Sequence, residues 1–167
     1  LVWFNKAIAQ NNAGAQYNLG WMYESGEGVV KNNATSNQWY LKAAANNEVN
    51  AQLRLGHHYL NGSNGLSKDK AQAIIWFKKA AAKGNADALF SVGYMYDYGE
   101  GAEEDNPTAL KWYTQAAQKG QLYAQYYLGY LYLYGDDGVS INTKKGLEWM
   151  TKSADAGLDL AQAELGH

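Results

Sequence analysis

The sequence contains no cysteine, one proline and one arginine (Arg54) among its 167 residues. Without cysteine there is no disulfide framework, no thiol nucleophile and no thiolate metal site. One proline beside 18 glycines points to helices separated by glycine stops, with little extended loop. A single arginine and a net charge of −2 exclude the basic footprint that a nucleic-acid backbone demands. No apolar run approaches the roughly 20 residues of a membrane-spanning helix, so membrane insertion is not expected. With 18% charged and 47% hydrophobic residues, the composition is that of a folded protein and not of a disordered acidic one.

Aromatic residues are what the chain has in plenty, and they are periodic. Trp3, Trp39, Trp76, Trp112 and Trp149 recur at spacings of 36, 37, 36 and 37. Each is followed 17 residues later by a glycine: Gly20, Gly56, Gly93, Gly129 and Gly166. Five positions before each of these glycines stands an alanine, from Ala15 to Ala161. Such self-similarity marks a tandem repeat. The alternation of length has one source. Gly26-Glu27-Gly28 and Gly99-Glu100-Gly101 are three-residue turns, whereas Gly62-Ser63-Asn64-Gly65 and Gly135-Asp136-Asp137-Gly138 hold one residue more. A loop tolerates that insertion and a packed helix does not.

Each repeat reads as two helices. Ala15, Leu19, Met22 and Tyr23 form the i, i+4, i+7, i+8 stripe of an amphipathic helix A of about 14 residues. Helix B opens at Asn32, Asp69, Asp105 or Asn142, whose side chains can cap free N–H groups. It buries Trp39, Tyr40, Ala43 and Ala44 and ends at Gly84, Gly120 and Gly157, or at Asn11 and Asn47. Asparagine tolerates the left-handed conformation that glycine takes at such a stop. Small residues on helix A are expected to receive the large rings of helix B. One helix pair cannot bury its own apolar face, so the copies must stack as a one-dimensional solenoid.

The spelling Ala15-x-x-x-Leu19-Gly20-x-x-Tyr23-x-x-Gly26-x-Gly28-Val29, then Trp39-Tyr40-x-Lys42-Ala43-Ala44, resembles the Sel-1-like repeat family. The third copy repeats it in Gly93-x-x-Tyr96-x-x-Gly99-x-Gly101 and Trp112-Tyr113-x-x-Ala116-Ala117-x-x-Gly120. The resemblance implies an all-α, right-handed α/α superhelical solenoid related to tetratricopeptide repeats, with helices A lining its concave face. It also implies scaffold or adaptor work on a protein or peptide partner. Some cysteine-rich members are described as binding or hydrolysing β-lactams, and this chain lacks their cysteines. The expected divisions are a partial helix B at 1–11, repeats at 12–47, 48–84, 85–120 and 121–157, and a partial helix A at 158–167. These partial ends are read as parts of a longer array. The expected setting is the bacterial periplasm or cytoplasm, with the protein soluble and monomeric or weakly self-associating.

Function is sought in residues that the repeat leaves over. Two residues after the fixed alanine, then four and eight further on, stand Tyr17 and Trp21, Leu53 and His57, then Phe90, Tyr94 and Tyr98, then Tyr126, Tyr130 and Tyr134. Tyr123 extends the last row, and Asp97 is a polar neighbour able to orient a ligand. These positions lie on the helix-A face away from the core stripe. They are the expected partner-binding surface, with Tyr94, Tyr126, Tyr130 and Trp21 as anchors. The same rings could instead wedge neighbouring helices A together. Carbohydrate binding on aromatic platforms, or a β-lactam hydrolase, are the other readings. No catalytic residue, metal site or cofactor is expected. His57 and His58 diverge by about 100° on a helix, and the Gly-x-Gly turns follow helices and lack a phosphate-binding lysine. His58 takes a core position, and Lys78, Lys79 and Lys83 read as solvated charges.

Overall fold

The computed structural model describes residues 11–136 and 138–166. The half-helix expected around Trp3 and the turn residue Asp137 lie outside the described residues. Among those described are nine helices: α1 Ala13–Ser25, α2 Asn33–Ala45, α3 Val49–Asn61, α4 Lys70–Ala82, α5 Ala86–Asp97, α6 Asn106–Gln118, α7 Leu122–Tyr134, α8 Thr143–Asp155 and α9 Asp159–Leu165. The described residues contain no strand beyond one isolated bridge between Asp136 and Val139. The chain falls into two units, divided after Lys83. In the first, α1 packs on α2 and α3 on α4, with α2 against α3. In the second, the pairs are α5 with α6 and α7 with α8, while α6 meets α7 and α8 meets α9.

Local chemistry explains where each helix starts and stops. Asn32, Asp69, Asp105 and Asn142 each accept the N–H three residues on, at 2.9–3.0 Å, as the sequence predicts. Asn12, Asn85 and Gln121 cap the A helices in the same way. The stops are left-handed at Asn47 (φ 63°) as at Gly84, Gly120 and Gly157. Each A–B turn is closed by one recurring backbone bond. The N–H of the capping Asn32, Asp69, Asp105 or Asn142 donates to the carbonyl of Tyr23, Tyr59, Tyr96 or Tyr132 at 2.7–2.9 Å. Those four tyrosines are half-buried, so their rings are less deep than the core positions the sequence suggests.

The core is made by large rings pressed on glycine. A Cβ at Gly20 would stand 2.8 Å from the Tyr40 ring, and one at Gly93 2.7 Å from that of Tyr113. Tyr40, Phe77, Tyr113 and Met150 are fully buried, and each such burial contributes on the order of 1.5–3 kcal/mol. The sequence puts Trp39 in that core beside Tyr40, and here the structure differs. Neighbouring helical residues diverge by about 100°, so only one of the two rings can face the glycine. Trp39, Trp76 and Trp149 are half-buried instead. The ammonium groups of Lys42, Lys79 and Lys152 lie over them at 4.3, 4.0 and 4.1 Å. Lys79 is therefore a ring cover and not merely a solvated charge.

A second fastening recurs at the junction between successive pairs. Gln52 Nε2 donates to the Ala44 carbonyl at 3.1 Å, Gln125 to Ala117 at 3.2 Å, and Gln162 to Ala154 at 3.0 Å. Each glutamine is a second donor to a carbonyl near the end of the preceding B helix, which also accepts the N–H of Asn47, Gly120 or Gly157 at the helix stop. The copies also alternate. The first and third carry an acid next to the short turn, Glu24 and Asp97, and a tyrosine on helix B, Tyr40 and Tyr113. The second and fourth carry Leu60 and Leu133 there, with Phe77 and Met150 on helix B and the longer turn. The hydroxyls of Tyr40 and Tyr113 donate to Glu24 and Asp97 at 2.5 and 2.9 Å.

Candidate functional site

In the first unit, α1 and α3 bring Tyr17, Leu53 and His57 together with Asn50 and Arg54 around a cavity of about 240 Å³. Tyr17 is half-buried and tilts against Tyr40 at 5.6 Å between centroids. His57 meets the edge of Phe77 at 5.0 Å. Trp21 does not line this cavity and stands 38% exposed. Beneath lies a polar cluster. Glu24 accepts from Tyr40, and the only arginine of the chain brings its Nε within 3.5 Å of the same carboxylate. His58, buried as the sequence predicts, approaches Glu24 with Nε2 at 3.2 Å. A carboxylate only accepts, so Nε2 carries the proton. His58 Nδ1 is buried with no partner among the described residues. A second proton there would be desolvated, and burial holds the His58 pKa below its ordinary value despite the pull of Glu24.

In the second unit the aromatic side chains form a connected set. Tyr94 and Tyr98 lie 4.4 Å apart, Tyr126 and Tyr130 6.5 Å, and Tyr130 and Tyr134 4.7 Å. Tyr94, Tyr98, Tyr123, Tyr130 and Tyr134 are all 36–54% exposed. Phe90 and Tyr126 are half-buried. Phe90 contacts Tyr94, Tyr113, Tyr123 and Tyr127, so it holds the set together from below. The Tyr134 hydroxyl donates to Glu164 of α9.

Tyr127 is the residue that sequence reasoning passed over. It stacks on Tyr113 at 5.5 Å and 21° and meets Tyr94 edge-on. With Asp97, Tyr98, Tyr126, Tyr130, Leu131 and Asp136 it lines a cavity of about 350 Å³. Burial raises the Asp97 carboxyl above the usual carboxylate range, and the charges of Asp136 and Glu104 raise it further. The Tyr113 hydroxyl works against that rise. Among the described residues no cationic side chain pairs with Asp97. None of their helices is long and apolar enough to cross a membrane, and no three acids or histidines are grouped to hold a metal ion.

Comparison with known proteins places this arrangement. The pattern of the Sel1 repeat matches residues 13–48, 49–85, 86–121 and 122–158. A protective antigen present in uropathogenic Escherichia coli strains, displaying an SLR fold, is 38% identical with a TM-score of 0.90. The match covers 98% of this chain and 35% of that one. A Sel1 repeat protein from Oxalobacter formigenes is 36% identical with a TM-score of 0.87, over 99% of this chain and 66% of its own. The chain thus spans about a third of the first relative and just under two thirds of the second. Helicobacter pylori cysteine rich protein B, at 24% identity and a TM-score of 0.61 over 80% of this chain and 94% of its own, shares the fold alone. A search of curated protein sequences returned no match.

Proposed function

We propose that this chain, which belongs to the Sel1 repeat family, is a non-catalytic adaptor that binds a protein or peptide on the tyrosine-rich face of its A helices. Sel1 repeat proteins are generally protein-interaction scaffolds. The observation that carries the reading is the row of partly exposed rings on α5 and α7, from Tyr94 to Tyr134. Large rigid rings lose little entropy on binding, and truncating an anchor among them is expected to cost about 2 kcal/mol or more. The phenols deeper in the same unit are poor candidates for chemistry. Burial and the Asp97 charge push the Tyr113 hydroxyl far above the phenol range, so it does not ionise.

The test compares affinity capture by the wild-type chain with capture by Tyr94→Ala/Tyr126→Ala/Tyr130→Ala from source-organism lysate. Circular dichroism first establishes that the variant is folded. A protein retained by the wild type and lost by the folded variant supports the reading. Equal capture sinks it and directs attention to the opposite faces and the turns.

A further inference from the structure

The two odd-numbered copies solve one electrostatic problem in different ways. Glu24 and Asp97 occupy the same repeat position, and each is held by a buried tyrosine hydroxyl from helix B. In the first unit the following A helix delivers a guanidinium: Arg54 on α3 reaches Glu24. In the second unit the position equivalent to Arg54 is Tyr127, and that of His58 is Leu131. The carboxylate remains, its internal cation is replaced by a phenol, and a cavity of about 350 Å³ opens beside it. The walls are Tyr98, Tyr126, Tyr127 and Tyr130, and a second acid, Asp136, stands at the margin.

We propose that this cavity is an arginine subsite: it takes the guanidinium of an arginine on the bound protein, in the role that Arg54 plays internally in the first unit. The planar ion suits both features of the pocket. Its N–H groups form charge-assisted bonds to the Asp97 carboxylate, and its faces lie against tyrosine rings. Such a guest also relieves Asp97, whose ionised form is now opposed by burial and by its acidic neighbours. The inference rests on the adaptor reading and adds to it the side chain that this part of the face selects. Several of the walls were already named from the sequence as partner-binding, but Tyr127 was not.

The probe is Nα-acetyl-arginine amide, titrated into the full chain and followed by two-dimensional NMR, with the citrulline and lysine amides as controls. Arginine is expected to give saturable shifts centred on Tyr98, Tyr127 and Leu131, and citrulline, neutral and nearly isosteric, is expected to give none. Asp97→Asn should weaken the arginine affinity at least tenfold. Tyr127→Arg, which copies the first unit, should fill the site from within and abolish the response. Equal shifts with citrulline, equal shifts with lysine, or an undiminished response in a folded Asp97→Asn chain would each overturn the assignment. If Tyr127→Arg does not fold, Asp97→Asn alone decides. An absent arginine response alongside groove-dependent capture defeats the subsite and leaves the adaptor reading. An arginine response alongside capture that ignores the tyrosines defeats the adaptor reading instead.

Discussion

Replacing one glycine by alanine should have opposite effects on two helices of the same length. Gly56 lies inside α3, and a Cβ there would stand 2.5 and 2.6 Å from Cε1 and Cδ1 of Phe77. Ordinary carbon contacts are about 3.5–4.0 Å, so ring and helix must separate by roughly 1 Å. Phe77 is fully buried and has nowhere to swing. Overpacking of this kind costs about 1–3 kcal/mol, against about 1 kcal/mol gained in helix propensity. Gly56→Ala should therefore destabilise by up to about 2 kcal/mol net. Gly14 is in the first turn of α1, where the nearest atom to a new Cβ is the Asn12 side chain at 3.5 Å. Gly14→Ala has only the gain and should stabilise by up to about 1 kcal/mol. Urea unfolding followed at 222 nm measures both, and each kcal/mol should move the melting temperature by about 2–4 °C. Phe77→Met should partly rescue Gly56→Ala, because a flexible thioether can yield where a ring cannot. Gly56→Ala at or above wild-type stability, with no rescue by Phe77→Met, would refute the close-approach argument.

Four further outcomes follow from the polar clusters. Folding holds the His58 pKa down, so the unfolded chain binds the proton more readily and stability falls as pH drops through the histidine range. His58→Leu should flatten that acid slope, and an unchanged slope in melting temperature between pH 7 and 5 would contradict it. Asp97 runs the other way: its pKa is raised in the folded state, so stability is lost as pH rises from the usual carboxylate range through the raised value. Asp97→Asn should remove this loss, read as a flatter denaturation midpoint over that window. Tyr113→Phe removes the hydroxyl that donates to Asp97 at 2.9 Å and should cost about 1.5–3 kcal/mol. It should also raise the Asp97 pKa further, measured by carboxyl 13C titration. Asn64 has φ 52°, and its side-chain amide donates to Ser36 and Asn37 at 3.1 and 3.0 Å. Asn64→Gly keeps the backbone but loses these bonds, whereas Asn64→Ala loses both, so alanine should be the more destabilising in urea.

The repeat was legible because periodicity is a property of the sequence itself. Turn lengths, the four B-helix caps and the left-handed Asn47 all follow from residue type at a recurring place. Depth was less legible. Trp39 recurs as faithfully as Tyr40, yet only the structure tells which of two adjacent rings meets the glycine. Tyr127 escaped notice because its position holds Asn18, Arg54 and Ser91 in the other copies, a series with no pattern to follow. Its partner Asp97 was in view, and matching it to Glu24, two copies back, would have exposed the exchange of Arg54 for Tyr127. The contacts among rings depend on rotamers, which spacing does not encode.

The alternation of acid-bearing and leucine-bearing copies bears on how such a chain can lengthen or shorten. Removing residues 49–85 would set Ser91 and Met95 after the first copy in place of Arg54 and His58, stranding Glu24 without a cation. Removing two copies, 49–121, would present Tyr127 and Leu131 instead, the same surroundings that Asp97 already has. The unit that repeats with its acid and its phenol is accordingly a doublet of 73 residues, the distance from Glu24 to Asp97 and from Tyr40 to Tyr113. Recombination between doublets keeps each of these acids in a setting the chain already holds, and recombination between single copies does not. A consensus sequence built by averaging all four copies would blend two incompatible grammars, whereas one averaged over doublets would keep each carboxylate with its phenol.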